Sequence, residues 1–330
     1  HLSLRRQRQM CIRDRHIMSS KKDFLLPGDE NLNNASTPPP PPPPPSYDTA
    51  TNNNTNSTYI PYDFIEDYNK PISECNIYIR TIFTKRVFSL LSYQILATFL
   101  IQISFYTDFF PRHILFNPFI YWFSFIGAMA TVVTLSFAIT PIMNPDGEIM
   151  NEDDAFGGRF GWMISYNKQL GLLGLFTVFE SILVSFITLH YDPRVLMTAV
   201  FITLTIVITA YTISAYKAKQ YEKKELQGDI DALLEEESTM SLVYRFLWCF
   251  TSGLFAFGFI LMFLPHSSVA ELIFSWVGAL IFTVYLFIDM YMVFRKVRPN
   301  EEIRCCMMLY TDIINLFLNI LRIVGHNNDN

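Results

Sequence analysis

From Val87 onward the chain alternates between long apolar runs and short polar breaks. The runs cover roughly 87–106, 114–140, 170–190, 195–216, 246–264, 272–294 and 305–324. Each approaches or exceeds the roughly 20 residues that a helix needs to cross a bilayer. Hydrocarbon offers no water to backbone groups, so runs of this length predict helices. The pattern therefore predicts an all-α polytopic membrane protein, a seven-transmembrane-helix bundle over residues 77–325. The last run is the least apolar, because Asp312, Asn315 and Arg322 interrupt it. A full crossing and a re-entrant helix both fit that run.

The residues before the bundle follow another pattern. Residues 1–17 lack a leading methionine and read as a non-native leader, with Met18 as the expected start. Residues 18–76 are rich in Asn and Pro, with an unbroken proline run from Pro38 to Pro45. Such a segment has little apolar surface to bury and predicts a disordered cytosolic tail with polyproline II character. Pro44, Pro45, Ser46 and Tyr47 make the Pro-Pro-x-Tyr form that WW domains recognise. The tail reads either as a dock for a WW-domain protein or as a solvated segment with a chance tyrosine. Residues 326–330 read as a short polar tail.

Composition supports a membrane protein. The 330 residues are 51% hydrophobic and only 17% charged, against about 25% charged in soluble domains. The net charge of −5 says little, because acids and bases sit in different loops. Basic residues crowd the tail and even-numbered loops, including Arg80, Lys85, Arg86, Lys223, Lys224, Arg295 and Arg298. The odd-numbered loops hold only Arg112 and Arg194. The positive-inside rule then predicts a cytosolic N-terminus. Two loops, 141–169 and 217–240, exceed what helix packing requires. The first lacks the register of an EF-hand, and the second is expected to extend a helix into water. Cys305 and Cys306 fit either palmitoylation at a membrane edge or two small residues at a helix start. The remaining cysteines and the six histidines form no ligand cluster. No metal site, cofactor, enzymatic activity or nucleic-acid partner is expected.

The chemistry concentrates in carboxylates that sit in apolar runs. Asp289 lies six residues before Arg295, and Asp312 eight residues after Arg304. At 1.5 Å per residue both lie about 9–12 Å from the basic loop between them. Their helices are antiparallel and joined by a short link, so the two acids should face each other. Neighbouring carboxylates cannot both ionise cheaply, so the pair should share a proton and respond to pH. Asn315 and Tyr285, one turn from Asp312 and Asp289, are the expected supporting polar groups. Glu180, in the run 170–190, fits either a protonated acid bonded to a neighbouring helix or a polar lining for an ion path. An intramembrane aspartyl protease is disfavoured, because the glycine-bracketed aspartate motif of that class is absent.

Leu309-Tyr310-Thr311-Asp312-Ile313-Ile314-Asn315-Leu316-Phe317, running on to Ile323-Val324-Gly325, resembles the terminal signature of the Bax-inhibitor/Lifeguard transmembrane family. Tyr78-Ile79-Arg80 with Gln94, Leu175-Phe176-Thr177 with Glu180, Tyr191-Asp192 and Tyr285 with Asp289 resemble further positions of that family in order and spacing. The likeness spans about residues 77–325. It implies a central C-terminal helix and a pH-sensitive calcium leak, or channel-like regulator, of intracellular stores that suppresses apoptosis. The family's paired aspartates correspond to Asp289 and Asp312. Membrane lipid, calcium ions and death-regulatory membrane proteins are the implied partners. The endoplasmic reticulum or Golgi is the implied location, ahead of plasma or lysosomal membrane. The alternative is a non-conducting membrane scaffold that regulates cell death through protein partners. The sequence departs from the family in three ways. Asp289 is followed by Met290-Tyr291 instead of Thr-Gln, the run 114–140 holds no arginine, and two loops are long.

Overall fold

The computed structural model describes residues 70–107, 109, 117–142, 162–228, 230–261 and 268–328. All of them fall within the unit Ser57–Asn330. Residues 1–17, the proline run and the Pro44-Pro45-Ser46-Tyr47 motif lie outside the described residues.

Among the described residues seven long helices follow in order: α1 Ile77–Tyr106, α2 Pro118–Phe137, α3 Tyr166–Thr188, α4 Pro193–Gln227, α5 Ile230–Leu261, α6 Ser268–Arg295 and α7 Glu302–Asn328. All except α5 meet the length and hydropathy needed to cross a bilayer. The protein is an all-α, multi-pass membrane protein. Its outward surfaces carry large apolar side chains such as Phe123, Ile126, Phe201 and Leu204. Lipid accepts such a surface, whereas water would not.

Sequence explains where several helices start and stop. The side chain of Asn76 accepts from the Tyr78 N–H and begins α1. Asn117 does the same for the Phe119 N–H at 3.0 Å, with Pro118 in the first turn of α2. Both use a side-chain oxygen to satisfy an otherwise orphaned donor. At the end of α4, Gly228 adopts φ 73°, a left-handed conformation that glycine accepts without a Cβ clash.

α7 is the axis of the bundle. It packs on α1, α2, α3, α4 and α6. In its most apolar stretch 67% of residues are buried, against 44% in α6 and 17% in α4. The most polar of the seven runs is thus a continuous, central helix. In lipid it is polar groups, and not apolar ones, that gain from being enclosed by protein.

Three regions depart from the sequence-based expectation. Residues 70–76, counted with the tail, pack on the bundle: Ile72 and Cys75 are buried, and the Ile72 N–H donates to Val297 O at 2.8 Å. The long connection after α2 begins and ends with a two-residue parallel strand pair, β1 Ala138–Ile139 and β2 Trp162–Met163. Gln169 fastens this end, donating through Nε2 to Thr140 Oγ1 at 3.1 Å and to Ile164 O at 2.8 Å. The expected extension of α4 is present, but it is not merely a solvated face. Arg80 of α1 pairs with Glu222 at 2.9 Å, and Arg295 of α6 pairs with Glu225 at 3.0 Å. Arg295 also lies 4.1 Å over the Tyr221 ring. At the opposite end Tyr106 donates to the carbonyls of Thr188 and Tyr191.

Candidate functional site: a buried carboxyl pair

α6 and α7 form the closing hairpin. The Lys296 and Val297 N–H groups both donate to Met292 O, which ends α6. A single 3-10 turn, Pro299–Glu301, then leads into α7. So short a link makes the helices antiparallel neighbours and sets Asp289 and Asp312 level with each other.

The two carboxyls lie within hydrogen-bonding reach of one another. They are 5% and 8% exposed. Asp289 Oδ1 and Asp312 Oδ2 receive no hydrogen bond from any other described residue. Among the described residues neither carboxyl has a cation among its strong electrostatic neighbours. Two unit charges about 4 Å apart repel by about 4 kcal/mol at an effective dielectric of about 20. With no donor or cation to offset that repulsion, the contact calls for one proton between the two acids. The described residues contain no group of three or more His, Cys, Asp or Glu placed to hold a metal. Two carboxyls fall short of the roughly six to eight oxygens that a resident calcium ion takes. The pair can hold a proton, or greet a partly hydrated cation, but it is not a cage.

Tyr285 lies beside the pair, within electrostatic reach of both carboxyls. Its phenol oxygen accepts from Thr251 Oγ1 of α5 at 3.1 Å, so α5 orients it. Tyr244, also on α5, packs edge-on against Tyr285 at 6.3 Å and reaches the same two charges. Sequence reasoning missed Tyr244, which lies outside the apolar runs. Asn315 does not bond to the pair. Its backbone carbonyl accepts from Asn319 Nδ2 at 2.8 Å, and its side chain makes no hydrogen bond to either carboxyl. An i, i+3 relation puts two residues on one side of a helix but leaves them about a turn apart in height, and here the Asp312 carboxyl turns toward α6 instead.

Glu180 is elsewhere. It neighbours Tyr310 on the face of α7 turned to α3. Residues 310 and 312 are two positions apart, about 200° around the helix, so Glu180 and the acid pair flank α7 on different sides. That other face carries a polar ladder. Gln94 of α1 donates to Thr177 of α3 at 2.8 Å and accepts from Cys306 Sγ of α7 at 2.8 Å. One turn on, Thr98 shares a 2.7 Å hydrogen bond with Tyr310 and accepts from Ser181 at 3.0 Å. Its signal was present in the sequence as three polar pairs at i, i+4: Gln94 and Thr98, Thr177 and Ser181, Cys306 and Tyr310. Cys305 and Cys306 are 5% and 0% exposed, which decides against a lipidated edge and for tight packing at a helix start.

A profile of the family described as "Inhibitor of apoptosis-promoting Bax1" matches residues 80–228 and 232–329. The chain belongs to that family. It is 32% identical over 289 residues to Bax inhibitor 1 of Saccharomyces cerevisiae, which covers 83% of this chain and 91% of the yeast protein. It is 25% identical over 275 residues to Protein lifeguard 4 of Mus musculus, covering 79% and 93%. The Golgi anti-apoptotic protein of Vaccinia virus (strain Lister) is 25% identical over 270 residues, covering 80% and 94%. Met290 and Tyr291, which follow Asp289 in this chain, are both buried.

Proposed function

We propose that this protein is a pH-sensitive calcium leak channel, or channel-like regulator, of an intracellular store membrane, and that it suppresses cell death. The observation that carries the reading is the Asp289–Asp312 contact, buried and lacking any other donor among the described residues. A shared proton holds α6 to α7 there. Losing it leaves two like charges that push the seam apart, and a cation entering the seam can replace it. Tyr285 and Tyr244 tie the pair to α5. The names of the relatives, Bax inhibitor 1 and Golgi anti-apoptotic protein, support the death-suppressing role and a Golgi or related internal membrane. The crowding of basic residues at one end supports a cytosolic N-terminus. The reading needs no covalent chemistry and no cofactor.

The test is calcium flux from liposomes holding the purified full chain, measured across a pH series. The wild type should leak calcium in a pH-dependent way. Asp312→Asn, which keeps the shape but removes one acid, should change the flux and flatten its pH dependence. Unchanged flux and unchanged pH dependence in that variant would sink the gate assignment. A wild type that carries no calcium but still suppresses cell death would instead favour the scaffold reading, in which deleting residues 38–47 abolishes the effect.

A further inference from the structure

α5 and α6 meet through Tyr244 and Thr251 on Tyr285, and through Phe257 on Phe274, whose rings lie 6.2 Å apart. Between the two helices lies a groove of about 500 Å³. That volume falls within the roughly 300–1,000 Å³ that takes a small ligand. Phe246, Cys249, Phe250 and Gly253 line it from α5, and Ile273 and Val277 from α6. All six are exposed. A Cβ added at Gly253 would meet no atom within 4 Å, so the floor of the groove is open space. The lining is apolar, the soft Cys249 thiol included, and gives water nothing to bond to.

The groove has a depth and a charged end. From Phe246 to Phe257 it follows α5 for eleven residues, which is about 16 Å at the helical rise. One leaflet of a hydrocarbon core about 30 Å thick has that depth. Arg245 immediately precedes Phe246 and is the last charge before the apolar run of α5. It is exposed, and no described acid pairs with it. Its Nε donates to Ser241 O at 3.4 Å. That contact turns the guanidinium toward the start of α5, the direction in which helical side chains lean. Both of its NH2 groups stay uncommitted, and their fork matches the oxygens of a phosphate. A cation stands where lipid headgroups sit, at the mouth of an apolar groove one leaflet deep.

We infer that the α5–α6 groove binds one glycerophospholipid, with its phosphate on Arg245 and an acyl chain laid along Phe246, Phe250 and Gly253. A diacylglycerol offers the same chains but brings no phosphate to Arg245. A free fatty acid brings a charge but lacks the phosphate that spans both NH2 groups. The binding does not depend on ion conduction. It bears on the acid pair because the lipid bridges the same two helices that the Thr251–Tyr285 hydrogen bond joins, and Tyr285 stands beside both carboxyls.

The experiment uses the purified full chain in detergent, with dioleoylphosphatidylcholine, dioleoylglycerol and oleate as separate probes. Native mass spectrometry counts the lipid retained. The wild type should hold one phospholipid and retain it about tenfold better than either other probe, the size expected of one charge-assisted contact. Arg245→Gln should abolish that preference. Gly253→Leu should lower phospholipid retention by at least as much, because its side chain occupies the groove. It adds a good helix former where nothing is in the way, so the fold should persist. A second readout places the lipid. Cys249 is exposed while Cys75, Cys305 and Cys306 are buried, so alkylation read at Cys249 by peptide mapping reports on the groove. Phospholipid should slow it several-fold in the wild type, and dioleoylglycerol should not. Equal retention of phospholipid by the wild type and both variants, equal retention of all three probes, or Cys249 alkylation unmoved by phospholipid would each overturn the inference. Should a variant misfold, the Cys249 readout in the wild type decides alone. Neither readout uses ion flux, so a protein that leaks no calcium defeats the leak reading and leaves this one standing.

Discussion

Both the face of α7 turned to α1 and α3 and the face turned to α6 are polar and buried, but they bring different halves of the hydrogen bond. On the first face Cys306 and Tyr310 meet Gln94, Thr98 and Ser181, and hydroxyl, thiol and amide groups supply donors as well as acceptors. On the second face Asp312 and Asn319 meet Asp289 and the bare backbone of Gly278, with acceptors left over. The difference separates glue from device. A matched ladder inside a membrane bundle locks helix register. Surplus acceptors demand a proton or a cation, so the arrangement of that face depends on what is present.

That contrast can be broken from the ladder side with the largest effect. Tyr310→Ala removes a fully buried ring and leaves Thr98 and Ser181 short of a partner. It should cost about 3–5 kcal/mol, read as a lowered thermal midpoint in detergent. On the acid side Asp312→Asn should behave differently. The asparagine amide can donate to Asp289 in place of the shared proton, so unfolding free energy should change by less than about 1 kcal/mol while the pH response of flux is lost. An equal loss of stability in both variants would erase the distinction between the faces. A double-mutant cycle between Gln94→Leu and Thr177→Val sharpens the ladder itself, with a coupling of about 0.6 kcal/mol expected for one intramembrane hydrogen bond. The smallest effect belongs to the α4 extension. Glu225 is half exposed in its pair with Arg295, so Glu225→Gln should cost well under about 1 kcal/mol, and less in high salt.

The acid pair was legible because an aspartate in an apolar run is expensive wherever it occurs, and because a short link dictates that neighbouring helices place such residues at matching heights. The ladder was less legible, since glutamine, threonine and serine are tolerated in membrane helices and carry no comparable alarm. Tyr244 was not legible at all. It sits outside every apolar run and reaches the pair only because α5 packs on α6. Asn315 was placed on the correct helix, but spacing alone does not say which way a side chain turns once a carbonyl or a neighbouring helix competes for it.

The closing hairpin shows where the division lies. Hydropathy alone determined that residues 272–294 and 305–324 are membrane helices, because a backbone in hydrocarbon has to satisfy itself. Charge placement alone determined that Asp289 and Asp312 are the residues to explain. Only the tertiary structure decided that α7 is the axis, that its two polar faces differ in hydrogen-bond balance, and that Asn319 presents an oxygen to a glycine. Those outcomes depend on which donors the neighbouring helices bring to a buried surface, and donors from helices distant in sequence become neighbours only when the bundle closes.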